Sequence, residues 1–167
     1  VNSILKAKKS IAGIHDVIAN LITPHDGYEE AISTALGGSM YFIVTEDERS
    51  SREAVNFLKT NRSGRATFLP LTVVKPRYIR NEDNIILENT SGFLGVASEF
   101  LENDAKFDRV VDSLLNNTII ADNLVHAQEL AKRLQYRYKV VTLAGEIINP
   151  GGSLTGGTIK DSASPLS

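Results

Sequence analysis

The sequence predicts a mixed α/β fold assembled from two related helix–strand–helix–strand units. Three observations carry that reading. One apolar helical stripe is written twice, each copy runs on into a β-branched strand and a second helix, and the chain closes on an apolar hairpin followed by a glycine cluster. In the first copy Tyr28, Ala31, Ile32, Ala35 and Leu36 fall at i, i+3, i+4, i+7 and i+8. In the second, Phe107, Val110, Val111, Leu114 and Leu115 repeat the spacing at one constant offset. Such spacing puts the apolar side chains on one helix face, which must be buried against another layer.

In chain order, the opening segment holds Ile4 and Ile11 seven apart with Leu5 beside the first, a short heptad-like pattern. The apolar run 11–22 is interrupted by His15, Asp16 and Asn20, which excludes a signal peptide or a membrane span there. The first long helix is expected after Asp26 as N-cap, with Glu29 three residues on to complete a capping box. It should stop at Gly37-Gly38. Its counterpart, capped by Asp104, should stop at Asn116-Asn117, because glycine and asparagine best tolerate a left-handed C-cap.

Strands are expected next, at 39–45 and 117–121. Second helices follow, capped by Thr45 (with Glu48 at the box position) in one copy and by Asp122 in the other. Their buried faces would be Ala54, Val55 and Leu58 in the first copy, and Leu124, Ala127, Ala131 and Leu134 in the second. Closing strands are expected at 65–71 and 139–143, the latter turning through Ala144-Gly145 into a hairpin partner at 146–149. Between the copies, 70–92 carries Pro76 and a polar run at 81–84 and reads as a surface connection.

The hairpin leads into Gly151-Gly152-Ser153-Leu154-Thr155-Gly156-Gly157. Glycine pairs serve where backbone takes φ > 0, or where another backbone or a phosphate must come close. A phosphate loop needs a lysine directly after its last glycine. Here Lys160 stands three residues beyond Gly157, and no Gly-x-Gly-x-x-Gly fingerprint exists. Close backbone contact, within the chain or across a dimer, is the better reading. A nucleotide- or phosphate-binding α/β enzyme using the 151–157 loop is the alternative.

With 167 residues and 42% apolar content the chain can bury a real core. A net charge of −2 excludes a global basic field, and the absence of cysteine excludes disulfides and thiolate chemistry and leans towards a reducing compartment. Three histidines, His15, His25 and His126, lack metal-ligand spacing, and no catalytic serine context is present. The reading is therefore no catalytic residues, no metal, no cofactor and no enzyme. Basic residues gather at Lys6, Lys8 and Lys9 with Lys160 near the other end, at Lys75, Arg77 and Arg80, and at Lys132, Arg133, Arg137 and Lys139. Most such clusters are solvated faces. The functional reading is sequence-independent phosphate contact, with Tyr136 and Tyr138 as stacking platforms. A chain that starts without Met and ends on a small polar tail reads as part of something longer.

The run Asn149-Pro150-Gly151-Gly152-Ser153-Leu154-Thr155-Gly156-Gly157 resembles the signature of the hinge domain of structural maintenance of chromosomes (SMC) proteins. Gly13-Ile14-His15, Ala35-Leu36-Gly37-Gly38, the run from Gly64 to Leu71, and Phe93-Leu94-Gly95-Val96-Ala97 agree with it, and the likeness points to a bacterial chromosomal SMC.

What the resemblance implies is specific. Two subdomains would form a ring-shaped homodimer, with a coiled-coil stub at 1–12, subdomain I and its connecting loop at 13–92, subdomain II at 93–160, and a returning stub at 161–167. Gly37, Gly38, Gly151, Gly152, Gly156 and Gly157 would lie at the dimer interface. Lys6, Lys8, Lys9 and Lys160 would make weak, non-specific DNA contacts, although Asp161 stands where relatives carry further lysines. The chain would be a non-catalytic piece of a bacterial, cytoplasmic, nucleoid-associated ATPase for chromosome condensation and segregation. ATP and kleisin-type subunits would be held by distant heads, and no membrane would be involved.

Overall fold

A computed structural model describes residues 1–8 and 10–158. The first half runs α1 (Asn2–Lys6), β1 (Ile14–Val17), α2 (Ile18–Leu21), β2 (Ile22–Pro24), α3 (Glu29–Leu36), a 3₁₀ turn (Gly37–Tyr41), β3 (Ile43–Thr45), α4 (Glu48–Thr60) and β4 (Phe68–Pro70). The second half runs α5 (Asn81–Glu88), β5 (Phe93–Val96), a 3₁₀ turn (Ala97–Glu99), β6 (Leu101–Asn103), a 3₁₀ turn (Ala105–Phe107), α6 (Asp108–Leu115), β7 (Ile119–Ala121), α7 (Leu124–Arg133) and β8 (Val140–Thr142). A hairpin partner, β9 (Ile147–Ile148), and an edge strand, β10 (Leu154–Thr155), complete it.

The duplication extends further than the helical stripes. In each half the first strand pairs antiparallel with the third, β1 with β3 and β5 with β7, and the third pairs parallel with the fourth, β3 with β4 and β7 with β8. Single backbone bonds recur too. Glu46 N–H donates to the Gly13 carbonyl (2.8 Å) as Asp122 N–H does to that of Gly92 (3.0 Å). Ile18 N–H donates to the Phe42 carbonyl (3.0 Å) as Ala97 N–H does to that of Thr118 (2.8 Å).

The halves are joined by the antiparallel pair β2–β6, with Thr23 opposite Glu102. Above it the rings of Tyr28 and Phe100 stack with centroids 4.1 Å apart. Each strand alternates between two cores, as a pleat requires. Val44, Ile120 and Val141 face a central core shared by both halves, with Ile32, Leu36, Val111 and Leu115 from α3 and α6. Ile43 faces the first half's own core with Ile4, Ala54 and Leu58, and Ile119 and Val140 face the second half's with Leu87, Leu130 and Leu134.

Several sequence expectations are corrected. Asp26 does not cap α3: the N-cap position falls at Tyr28 without a side-chain bond, and Glu29 accepts from Gly27 N–H instead (3.0 Å). Asn116 is right-handed helical (φ −77°), so only Gly37 (φ 54°) leaves its helix with positive φ. Residues 39–41 belong to a 3₁₀ turn, not a strand. The caps of α4 and α7 are Asp47 and Asn123, which accept from Ser50 and His126 N–H (2.8 and 2.9 Å), rather than Thr45 and Asp122. Val55 is exposed, while Leu130, absent from the expected face, is buried. The segment 70–92 contains a helix, α5, whose Asp83 and Leu87 are fully buried. It stands before β5 as α1 stands before β1, so it is part of the repeat.

Candidate dimerisation surface

The glycine cluster lies at the edge of the five-stranded sheet, ordered β10-β9-β8-β7-β5. β9 runs antiparallel to β8, as the hairpin through Gly145 (φ 86°) requires. β10 then pairs antiparallel with β9, Leu154 opposite Ile148 and Thr155 opposite Ile147, and among the described residues its outer edge is unpaired. Residues 151–158 are all exposed, including Leu154 at 50%. An open edge bearing an exposed leucine is a template for a further strand.

The tight turn between β9 and β10 is closed by its own backbone. Asn149 N–H donates to the Ser153 carbonyl (2.8 Å), and Gly152 N–H to that of Asn149 (2.9 Å). Gly151 and Gly152 take φ of 90° and 108°, which side-chain-bearing residues rarely adopt. Gly152 lies against the ring of Tyr136, which a Cβ would reach at 3.6 Å.

Gly156 and Gly157 line a groove of about 580 Å³ whose opposite wall is the outer face of α3, with Glu30, Ser33 and Thr34. One turn further along that helix come Gly37 and Gly38, both exposed, with nothing within 4 Å of where a Cβ would stand. The exposed Tyr41 ends the same 3₁₀ turn. Lys139, at the head of β8, donates to the Ala35 carbonyl near the end of α3 (3.0 Å). Burial and the nearby Arg77 hold its pKa below the usual lysine range. The structure thus brings α3 and Gly156-Gly157 to one groove and leaves Gly151-Gly152 at the far end of the β9–β10 hairpin.

Unit one offers a second edge. β4 occupies the position that β8 occupies in unit two, but among the described residues its outer side is unpaired where β8 carries β9. The order β1-β3-β4 therefore ends on a free strand of half-buried residues.

The basic groups fare differently. Lys6 and Lys8 are exposed on and after α1, whose Ile4 is fully buried in unit one, while Lys9 and Lys160 lie outside the described residues, as does the expected stub at 161–167. Arg80 pairs with Glu82 and Asp83, Arg133 with Glu129, and Arg137 with Asp83. Tyr138 is no stacking platform: it is 7% exposed and its hydroxyl donates to Asp83. The histidines pair singly, His15 with Glu46 (2.7 Å), His25 with Glu102 (2.9 Å) and His126 with Asp122 (2.7 Å). Among the described residues no group of three or more metal-ligating side chains converges, and no helix is long and apolar enough to cross a membrane.

Against the loop as a phosphate site stand two features. Gly151-Gly152 lead into β10 rather than a helix N-terminus, and the wall that Gly156-Gly157 face carries the Glu30 carboxylate.

The chain matches the family model described as SMC proteins Flexible Hinge Domain over residues 11–131, which ends before the glycine cluster. It is 46% identical over 160 residues to the chromosome partition protein Smc of Bacillus subtilis, covering 96% of this chain and 14% of that protein. Smc of Halothermothrix orenii is 41% identical over 158 residues, covering 95% of this chain and 13% of that protein. The chain therefore spans about a seventh of these relatives. Among solved structures, an asymmetric dimer of the Geobacillus stearothermophilus SMC hinge domain superposes with a TM-score of 0.92 at 44% identity, covering 98% of this chain and 66% of that one. The Pyrococcus furiosus SMC hinge domain gives 0.76 at 29% identity, covering 96% and 86%.

Proposed function

The chain belongs to the SMC hinge family, and from that premise we propose that it is a non-catalytic module that pairs two copies of an SMC protein. The observation that carries the pairing is the complementarity of its free edges. β10 ends the second sheet and β4 ends the first, so two chains related by a two-fold axis can set the glycine edge of each against unit one of the other, twice. Bare backbone at Gly37, Gly38, Gly156 and Gly157 lets the facing chains approach to main-chain hydrogen-bonding distance. The two closed junctions leave a ring, with a coiled-coil arm leaving each protomer.

The test is solution mass by light scattering across dilution, with a Gly156→Asp/Gly157→Asp variant beside the parent. The expected result is a dimer for the parent and a folded monomer for the variant, with circular dichroism as the control for folding. A parent that is monomeric throughout would defeat the reading.

Non-specific DNA contact belongs to the same proposal, through Lys6, Lys8, Lys9 and Lys160. With few phosphates neutralised, affinity at physiological salt would be of order 10⁻⁴–10⁻⁶ M. Replacing the four lysines by alanine should flatten the salt dependence of DNA binding; an unchanged slope would remove these residues from the contact. In the parent protein the hinge would serve chromosome condensation and segregation in the bacterial cytoplasm, in association with the nucleoid. ATP hydrolysis and kleisin-type partners would reside at the far ends of the arms.

A further inference from the structure

The turn between α7 and β8 is the most strained stretch of backbone among the described residues. Gln135 and Tyr136 are consecutive and both take positive φ (55° and 57°) without being glycine. Such conformations persist only where the surroundings over-determine them. Here the surroundings are identifiable. The Arg137 guanidinium bonds both oxygens of the fully buried Asp83 on α5, and its Nη1 donates to Gln135 Oε1 (3.1 Å). The Tyr138 hydroxyl donates to Asp83 Oδ2 (2.6 Å) and accepts from Arg80 N–H (3.1 Å). Asp83 therefore grips the turn from its far side, through the two residues that follow the strained pair.

On its near side the same turn holds the first glycine pair, Gly151-Gly152, which leads into β10. Gly151 N–H donates to the Tyr136 carbonyl (2.9 Å), and the Tyr136 ring lies against Gly152. The path from α5 to the β9–β10 turn is continuous: Asp83 to Arg137, Arg137 to Gln135, and Tyr136 to Gly151. Unit one has no such path. In the repeat Ile4 stands where Asp83 does and Ala66 where Tyr138 does, and both belong to an apolar cluster. A buried carboxylate in place of an aliphatic side chain costs desolvation, which a packed core would have avoided. The half that carries the β10 edge is the half that bears this cost.

We propose that Asp83 is a positioning residue for the 149–153 turn, acting through Arg137 and Tyr136, and that it thereby sets the strength of dimerisation. This rests on the dimer reading above. The latch fixes the carbonyl that holds Gly151, so that the β10 edge is presented in one geometry before a partner arrives. Preorganisation of this kind acts on association by removing ordering that would otherwise accompany it.

The experiment compares the parent chain with Asp83→Asn, reading amide hydrogen exchange by NMR and the dimer Kd by analytical ultracentrifugation. The expected result is a folded variant in which the Gly151 amide exchanges about tenfold faster while Ile120 and Val44 stay within about twofold. The dimer Kd should rise by about tenfold. A general structural role would raise exchange at Ile120 as much as at Gly151, and that outcome overturns the proposal, as does an unchanged Kd. A parent chain that never dimerises would defeat the dimer reading, while the Gly151 arm would still decide the latch. Should Asp83→Asn fail to fold, Asp83→Asn/Arg137→Gln, which removes both charges together, is read the same way. Failure of that variant to fold assigns Asp83 to general stability and overturns the proposal.

Discussion

Gly13 and Gly92 occupy equivalent positions, each tucked beneath the first turn of a helix. Both take φ near 85°. A Cβ on Gly13 would run into the Ser50 side chain and the Glu46 Cβ, and one on Gly92 into the Cβ and ring of His126. The Cβ atoms among them are fixed by their own backbones and cannot swing away. Gly64 takes the same φ but faces open space. Gly13→Ala and Gly92→Ala should therefore each cost about 2–4 kcal/mol, against roughly 1 kcal/mol for Gly64→Ala. Urea denaturation midpoints measure the difference, and three equal losses would show that φ alone matters. Asp83 supplies a second residue-level prediction. Burial works against its charge, yet hydrogen bonds from Arg137 and Tyr138 and the Arg137 and Arg80 charges hold its pKa below the usual carboxylate range. Its contribution is then complete above the unfolded pKa of about 4 and drains away as pH falls through the lower folded value. Stability of the parent should fall more steeply below that pH than stability of Asp83→Asn.

At the scale of elements, what could be read from sequence depended on whether a local pattern decided the outcome. The stripes of α3 and α6 were legible because five apolar residues at helical spacing leave little alternative, and they do pack against each other in the shared core. The turn at Ala144-Gly145 and the strand after it were legible for the same reason. α5 was not. Its Asn81-Glu82-Asp83-Asn84 opening looks like a solvated loop, and only partners 54 and 55 residues away, Arg137 and Tyr138, make Asp83 a buried residue. The strands β1, β2, β5 and β6, three or four residues each, were too short to show a period. Helix caps slipped by one to three positions, the largest where Asp104 caps the 3₁₀ turn ahead of α6 and Phe107 stands at the N-cap of the helix itself. The shift is testable: Asn123→Ala should cost about 1 kcal/mol, since Asn123 accepts from His126 N–H. Asp26→Ala, at a position without a capping bond, should leave the melting temperature unchanged.

For the whole molecule, the central core decides how the halves behave. Ile32 and Leu36 from one half pack with Val111 and Leu115 from the other, and β2 completes its ladder only with β6. Neither half can bury this surface alone. Calorimetry should accordingly show one transition whose calorimetric and van't Hoff enthalpies agree, and two resolved transitions would contradict a shared core. The glycine cluster was legible as a stretch of bare backbone, and residues 151–157 are indeed exposed. Its geometry was not, because the groove against α3 is formed by segments more than a hundred residues apart.

The β2–β6 pair also has a mechanical consequence. In a closed ring of two chains, load arriving along the arms meets joints of two kinds. One lies inside each protomer and cannot part without melting the core around it. On the proposed pairing the other would lie between protomers, where short edge strands and bare glycine backbone would make the contact. Under tension the ring would part at the second kind, protomer from protomer, with both halves of each chain still folded and ready to close again.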